Sequence, residues 1–167
     1  MAEKPTSIVS QQRFLGDAQC AEMISFAIEN MAELAYRGDD TIFSGRFIDR
    51  PALPAAQAAA RRAGTLLSLV FATPLALEVY QLVAWPEGTE QPVHTDRRRA
   101  GTTHAAIAYL NDDFEGGETF FPDIDTVVTP RRGTLIGFPG PVLPHGVRRI
   151  TRGTRYTLAL WFVPGPG

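Results

Sequence analysis

The chain has one cysteine, Cys20, and one lysine, Lys4. A single cysteine excludes an internal disulfide, and no Cys/His cluster has the spacing of a structural zinc site. No run approaches 18 uninterrupted apolar residues, which excludes a hydropathic membrane-spanning helix and leaves no membrane partner to expect. The opening, MAEKPTSIVSQQRF, lacks the apolar stretch a secretory signal needs, so the cytoplasm is the expected compartment. Basic charge is not in excess. The formal net charge is -2 and the pI about 5.9, with no basic helix or aromatic-basic motif, so nucleic acid is not an expected partner. Histidine is scarce as well, at His94, His104 and His145 only. What is present is 167 residues, 44% hydrophobic and 20% charged, the composition of one soluble globular domain.

Charge is uneven along the chain. Residues 111–125 hold six acids and no base, whereas from Thr126 onward there are six arginines and no acid. This asymmetry predicts an anion-binding face. The fifteen arginines against one lysine, together with abundant alanine, read as genome composition rather than mechanism.

Periodicity divides the chain into a helical part and a strand part. Asp17 is placed to cap a helix running to about Tyr36 and closed by Gly38, with Cys20, Met23, Ile24, Ala27, Ile28, Met31 and Leu34 forming its apolar stripe. Cys20 in that stripe reads as a small buried hydrophobe. A second helix is expected from Pro51 or Pro54 to about Ala72, stopped by Pro74, and a short edge strand from Thr41 to Ile48 between the two. From Leu75 the texture changes to LEVYQLVAW, THAAIAYL, ETFF, TVVT, GTLIGF, VLPHGV and RYTLALWF, punctuated by PEG, NDD, EGG, PRRG, FPGP and TRG. Closely spaced strands without intervening helices predict an antiparallel sandwich or barrel. The fold class is therefore mainly β with N-terminal helices, residues 1–74 as a helical buttress and 75–167 as the core of the same domain.

The chemistry concentrates around two histidines. His94 and Asp96 stand two apart, so in extended backbone both point to one face, about 6 to 7 Å apart along the chain. His145, in VLPHGV, follows about fifty residues later. Brought together by the fold, two histidines and one carboxylate make the facial triad that leaves coordination positions open on a non-haem iron. H-x-D alone is equally a surface turn. Arg155 adds weight: it opens RYTLALWF beyond the TRG turn, and its planar guanidinium suits the bidentate grip of a carboxylate. His104 is not a ligand candidate, because an odd offset of five from Tyr109 puts the two on opposite faces of a strand. Gly116-Gly117, flanked by acids and followed by a strand, reads as a turn needing unusual φ angles rather than a phosphate loop.

With these blocks in place the sequence resembles the Fe(II)/2-oxoglutarate-dependent dioxygenases, specifically the prolyl 4-hydroxylase-like branch. The resemblance covers roughly Leu77 to Trp161. It rests on His94-Thr-Asp96, on the block from Tyr109 to Pro122, on Arg132-Gly-Thr-Leu-Ile-Gly-Phe-Pro139, and on His145-Gly-Val followed by Gly153-Thr-Arg155-Tyr-Thr-Leu-Ala-Leu-Trp161. It implies a double-stranded β-helix, or jelly roll, with His94, Asp96 and His145 binding Fe(II). It also implies that Arg155 binds the distal carboxylate of the co-substrate 2-oxoglutarate, that Tyr109 reaches the same carboxylate, and that Thr119 and Trp161 line the co-substrate pocket. Oxidative decarboxylation with O2 would then give succinate, CO2 and a hydroxylated product, with L-ascorbate as a candidate reductant. Trp85 stands where many relatives have tyrosine and donates only through its indole nitrogen. It is counted here as a candidate substrate residue.

The run Arg97, Arg98 and Arg99 follows the iron motif directly and is a candidate partner for a substrate carboxylate. The leading expectation is therefore hydroxylation of a small carboxylate-bearing metabolite such as an amino acid or a derivative. Peptidyl or protein prolyl hydroxylation is the alternative, and a non-catalytic metal- or ligand-binding module of the same fold is a reading from another class. The presence of Asp96 argues against a halogenase, and the absence of a closely spaced His-x-His argues against a cupin-type oxygenase.

Overall fold

The computed structural model describes residues 7–31, 45–97 and 101–166. Two helices and twelve strands occur among them: β1 (Val9–Gln11), α1 (Asp17–Asn30), β2 (Arg46–Asp49), α2 (Pro54–Val70), β3 (Leu75–Pro86), β4 (Gln91–His94), β5 (His104–Tyr109), β6 (Glu115–Gly116), β7 (Thr119–Phe121), β8 (Thr126–Val128), β9 (Leu135–Phe138), β10 (His145–Val147), β11 (Ile150–Arg152) and β12 (Thr154–Pro164). All pairings are antiparallel. The larger sheet has the order β1-β9-β5-β12-β3-β2, the smaller β4-β10-β7-β8, and β6 pairs with β11 as a short ribbon.

Alternation along the long strands sorts side chains onto two faces of the larger sheet. Leu158, Leu160 and Phe162 of β12, with Leu82, Ala84, Ala106, Ala108 and Leu135, point out toward the helices. They meet Cys20, Met23 and Ala27 of α1 and the alanine face of α2, Ala56, Ala59, Ala60 and Ala63. Small side chains let α2 lie close to the sheet. Gly64 and Gly137 serve the same approach: a Cβ on Gly64 would lie 3.2 Å from the Phe162 ring, and one on Gly137 would run into the Leu67 methyls. The opposite faces close on each other, with Ala105, Tyr109, Ile136, Phe138 and Trp161 packed against Phe121 and Val128 of the smaller sheet. Val83 and Trp85 pack beside Val147 and Ile150 at the other end. Two facing antiparallel sheets with the functional residues between them form the expected jelly roll.

Several expectations need correction. Helix α1 starts at Asp17 behind an extended Gly16, whose N–H is capped at 3.0 Å by the Gln19 side chain. Asp17 instead pairs with Arg132 at 3.2 Å. Ile28, expected in the apolar stripe, is 60% exposed, whereas Cys20 is fully buried as expected. Leu34, Tyr36, Gly38 and the first half of the Thr41–Ile48 segment lie outside the described residues. Residues 1–74 are more than a helical buttress, because β1 and β2 join the larger sheet against β9 and β3. The acidic and basic segments also meet in space. They fold against each other: Arg152 pairs with Glu115 at 2.6 Å, and Arg132 N–H donates to Asp112 at 3.1 Å.

Candidate metal centre and acid pocket

Strand β4 ends at His94, and β10 begins at His145 directly opposite it. Cross-strand neighbours on one face stand close enough for their side chains to touch, and the two imidazoles lie 4.4 Å apart between ring centres. Asp96 follows two residues after β4, where its N–H donates to the Gly140 carbonyl at 3.0 Å. Its carboxylate reaches between the rings, Oδ1 3.5 Å from His94 Nε2 and Oδ2 3.4 Å from His145 Nε2. One ligand atom from each of the three residues falls within 4.8 Å of the others. Phe138 and Phe121 wall His145, at 4.6 Å and 5.7 Å between ring centres.

The tautomers follow from the backbone. His94 Nδ1 lies 2.9 Å from the Pro92 carbonyl, and His145 Nδ1 lies 3.0 Å from that of Leu143. A carbonyl only accepts, so each Nδ1 carries the hydrogen and each Nε2 turns a lone pair toward the carboxylate. Acceptors that face acceptors at 3.4–3.5 Å call for a cation among them, a proton or a metal ion. Burial by itself would lower the pKa of His94, but its bonds to Asp96 and the Pro92 carbonyl and the charge of Asp96 leave it raised. Burial would raise that of Asp96, but the bonds and charges of His145 and His94 hold it well below the usual carboxylate range. A deprotonated carboxylate with two Nε2 lone pairs is the donor set of a facial Fe(II) site.

Arg155 occupies the same interior. It is 1% exposed, and among the described residues it joins no ion pair. Its Nη2 donates to Thr119 Oγ1 at 3.2 Å, and that oxygen also lies 2.7 Å from the Tyr109 hydroxyl. Arg155 Nε has no hydrogen-bond partner among the described residues. Removing a guanidinium from water without a counter-ion costs several kcal/mol. Burial accordingly pulls the Arg155 pKa down, opposed by Tyr109, and burial pushes the Tyr109 phenol up, opposed by Arg155 and Thr119. A buried cation with an unused N–H fits a carboxylate arriving from outside the chain.

The sequence-derived site residues fall into three groups. His94, Asp96 and His145 converge, and Tyr109 and Thr119 join Arg155. Trp161 sits on the face of β12 that carries Arg155 and packs against the cluster that includes Tyr109, Phe121, Phe138 and Leu143. Trp85 is buried and lies across from Arg155, its ring centre 5.1 Å from the guanidinium carbon. The structure places it beside Arg155 at the wall of the acid pocket. Arg97 is exposed, and Arg98 and Arg99 lie outside the described residues. His104 points away from the interior as expected, stacked on Phe71 at 4.5 Å and bonded to Thr103 Oγ1 at 3.0 Å.

Two glycines shape the site. Gly117 has a φ of +70, as the reading of the turn requires, and a Cβ there would lie 3.0 Å from Arg155 Cδ. Gly140 was legible only as turn punctuation. A Cβ on it would lie 2.8 Å from Asp96 Cβ and 3.1 Å from Ala105 Cβ.

Residues 80–163 match the sequence profile described as the 2OG-Fe(II) oxygenase superfamily. The chain belongs to that superfamily, whose members use Fe(II), 2-oxoglutarate and O2. Among curated proteins it is 43% identical over 83 residues to prolyl 3-hydroxylase 2 of Rattus norvegicus and 46% identical over 83 residues to prolyl 3-hydroxylase 3 of Homo sapiens. Each match covers 46% of this chain and spans 11% of the relative's length. In fold it is similar to a Pseudomonas putida prolyl-4-hydroxylase, with TM-score 0.80, 21% identity and coverage of 97% and 95% of the two chains. The viral collagen prolyl hydroxylase of Paramecium Bursaria Chlorella virus-1 gives TM-score 0.77, 18% identity and coverage of 95% and 96%.

Proposed function

We propose that this chain is a 2-oxoglutarate-dependent hydroxylase that acts on prolyl residues in peptides. One observation carries the oxygenase reading: three convergent metal-ligand atoms share a sandwich interior with a buried arginine that no carboxylate of the described residues neutralises. In this reading His94, Asp96 and His145 hold the iron, and Arg155 takes the distal carboxylate of 2-oxoglutarate beside Tyr109 and Thr119. Bound iron would supply the redox chemistry that couples decarboxylation of 2-oxoglutarate to hydroxylation of a C–H bond.

The chain's own residues do the positioning. The Pro92 and Leu143 carbonyls hold both imidazoles in the tautomer that presents Nε2. Arg155 fixes one end of the co-substrate, and with it the placement of the other end beside the metal ligands. Phe121, Phe138 and Trp161 keep that end of the interior apolar, which limits water at the reacting centre.

Similarity to prolyl 3-hydroxylases over 83 residues supports a prolyl substrate in a peptide over the small carboxylate-bearing metabolite expected from the arginine run. Only Arg97 of that run is among the described residues, and its exposure does not distinguish the two. The test is aerobic incubation with Fe(II), 2-oxoglutarate and ascorbate, offering proline-containing peptides in one arm and free amino acids in the other. Succinate formation matched by one oxygen atom gained on a peptidyl proline is the expected result, and amino-acid analysis then separates 3- from 4-hydroxyproline. Coupled turnover confined to free amino acids would replace the peptide substrate with a small acid. The absence of 2-oxoglutarate-dependent succinate from both arms and from a control without any prime substrate would refute the oxygenase reading.

A further inference from the structure

The Arg155 guanidinium lies over two aromatic rings. Its central carbon is 5.1 Å from the ring centre of Trp85 and 5.4 Å from that of Tyr109. The strand register builds this arrangement. β12 runs between β3 and β5, Trp85 stands directly beside Arg155 on one side, and Tyr109 stands beside Thr157, one inward position further, on the other. Both rings and the guanidinium are buried. The Trp85 indole N–H points at Thr157 Oγ1, 3.4 Å away, which ties the indole to the same strand as the arginine it covers.

A planar guanidinium donates only in its own plane, and the two rings it lies over limit how that plane can turn. One in-plane donor, on Nη2, is taken by Thr119, and Nε remains without a partner among the described residues. The unused donors thus form an edge whose orientation the two rings control. Tyr109 is held a second time through its hydroxyl, so the indole is the partner whose loss would free the plane to turn. Indole is also the strongest of the aromatic faces toward a cation, and the attraction grows where water is excluded.

Resting on the reading that Arg155 anchors the distal carboxylate, we propose that Trp85 is a positioning residue that holds the guanidinium in its carboxylate-binding plane and so sets the preference for 2-oxo diacids over 2-oxo monoacids. A monoacid offers no distal carboxylate and gains nothing from that plane.

Calorimetric binding to the manganese-loaded, catalytically silent protein tests this, with 2-oxoglutarate and 2-oxovalerate as probes. Trp85→Leu should weaken 2-oxoglutarate about two- to twelve-fold, the range into which re-ordering one freed side chain on binding converts. The affinities for 2-oxovalerate and for manganese should stay at wild-type values. Trp85→Phe keeps an aromatic face and should recover most of the loss. Equal weakening of both acids by Trp85→Leu would make Trp85 a merely structural residue and overturn the proposal, as would unchanged 2-oxoglutarate affinity in that variant. Arg155→Ala in the same assay separates the two levels of the argument. If it leaves 2-oxoglutarate affinity intact, the anchor assignment itself fails. If it weakens 2-oxoglutarate while Trp85→Leu does not, only the role of Trp85 fails.

Discussion

Gly140→Ala adds one methyl group and is expected to damage the metal centre. The glycine does not have a positive φ, so alanine can adopt its backbone and the obstacle is space alone. The new Cβ would lie 2.8 Å from Asp96 Cβ, 3.1 Å from Ala105 Cβ and 3.3 Å from Asp96 Oδ2. Carbon atoms settle at about 3.5–4.0 Å, so the clash requires a shift of roughly 1 Å. The two nearest, Asp96 Cβ and Ala105 Cβ, are not the far ends of flexible side chains. Ala105 is locked in β5, and Asp96 is tied to the same Gly140 carbonyl by its N–H at 3.0 Å. The strain therefore falls on a metal ligand. Overpacking of this kind costs about 1–3 kcal/mol, or a Tm loss of roughly 2–12 °C for a chain of this size. Displacing a ligand through its supporting contact typically weakens metal binding by about 10–100-fold. Titration of the metal-free protein with Mn(II), alongside thermal melts, measures both quantities. Gly101→Ala is the control, because among the described residues its Cβ would meet only Val163 Cγ1 at an ordinary 3.5 Å. A Gly140→Ala protein with wild-type metal affinity and Tm would refute the claim that this glycine sets the position of Asp96.

Three further outcomes are expected. Asp96→Ala removes the only anionic ligand and should abolish tight Fe(II) binding and lower coupled succinate formation by several orders of magnitude; near-normal turnover would sink the triad. Arg155→Lys replaces a planar fork with a point charge, and KM for 2-oxoglutarate should rise at least about tenfold while metal affinity in its absence stays unchanged. His104 is pulled below its ordinary pKa of 6.5 by burial, so the unfolded chain binds the proton more readily than the folded one. Its contribution to stability is therefore complete above pH 6.5 and declines as the pH falls toward the folded pKa. The Tm of wild type minus that of His104→Asn should shrink between pH 7.5 and pH 5.5, and a difference independent of pH would reject the burial argument.

The long strands were legible because their side chains must alternate between the helix-covered face and the interior. LEVYQLVAW and RYTLALWF became β3 and β12 with only their ends extended. β1, β6 and β11 are two or three residues long and carry no pattern of their own. They exist because a partner strand offers its backbone, and in the sequence Glu115-Gly116 falls in the turn signal EGG and Thr151-Arg152 in TRG. Helix α1 was legible in its buried stripe, yet Ile28 has the right spacing and faces solvent. Periodicity names a face but not how wide a neighbour's cover will be.

The sequence alone determined which groups the proposed chemistry calls on: an H-x-D whose spacing puts both donors on one face, a lone later histidine, and an arginine heading a strand. Residue type and period carry that information, since only imidazole and carboxylate suit the metal and only a guanidinium grips a carboxylate in plane. What surrounds those groups was decided by the tertiary structure. That β10 lies against β4, that Gly140 leaves room for Asp96, and that Trp85 and Tyr109 reach Arg155 from the strands on either side of β12 all depend on which strands become neighbours. The acidic and basic segments make the same point, because their pairing through β6 and β11 turned a separation along the chain into a contact in space. Strand neighbours are chosen by the packing of the whole domain, to which no single stretch of sequence has access.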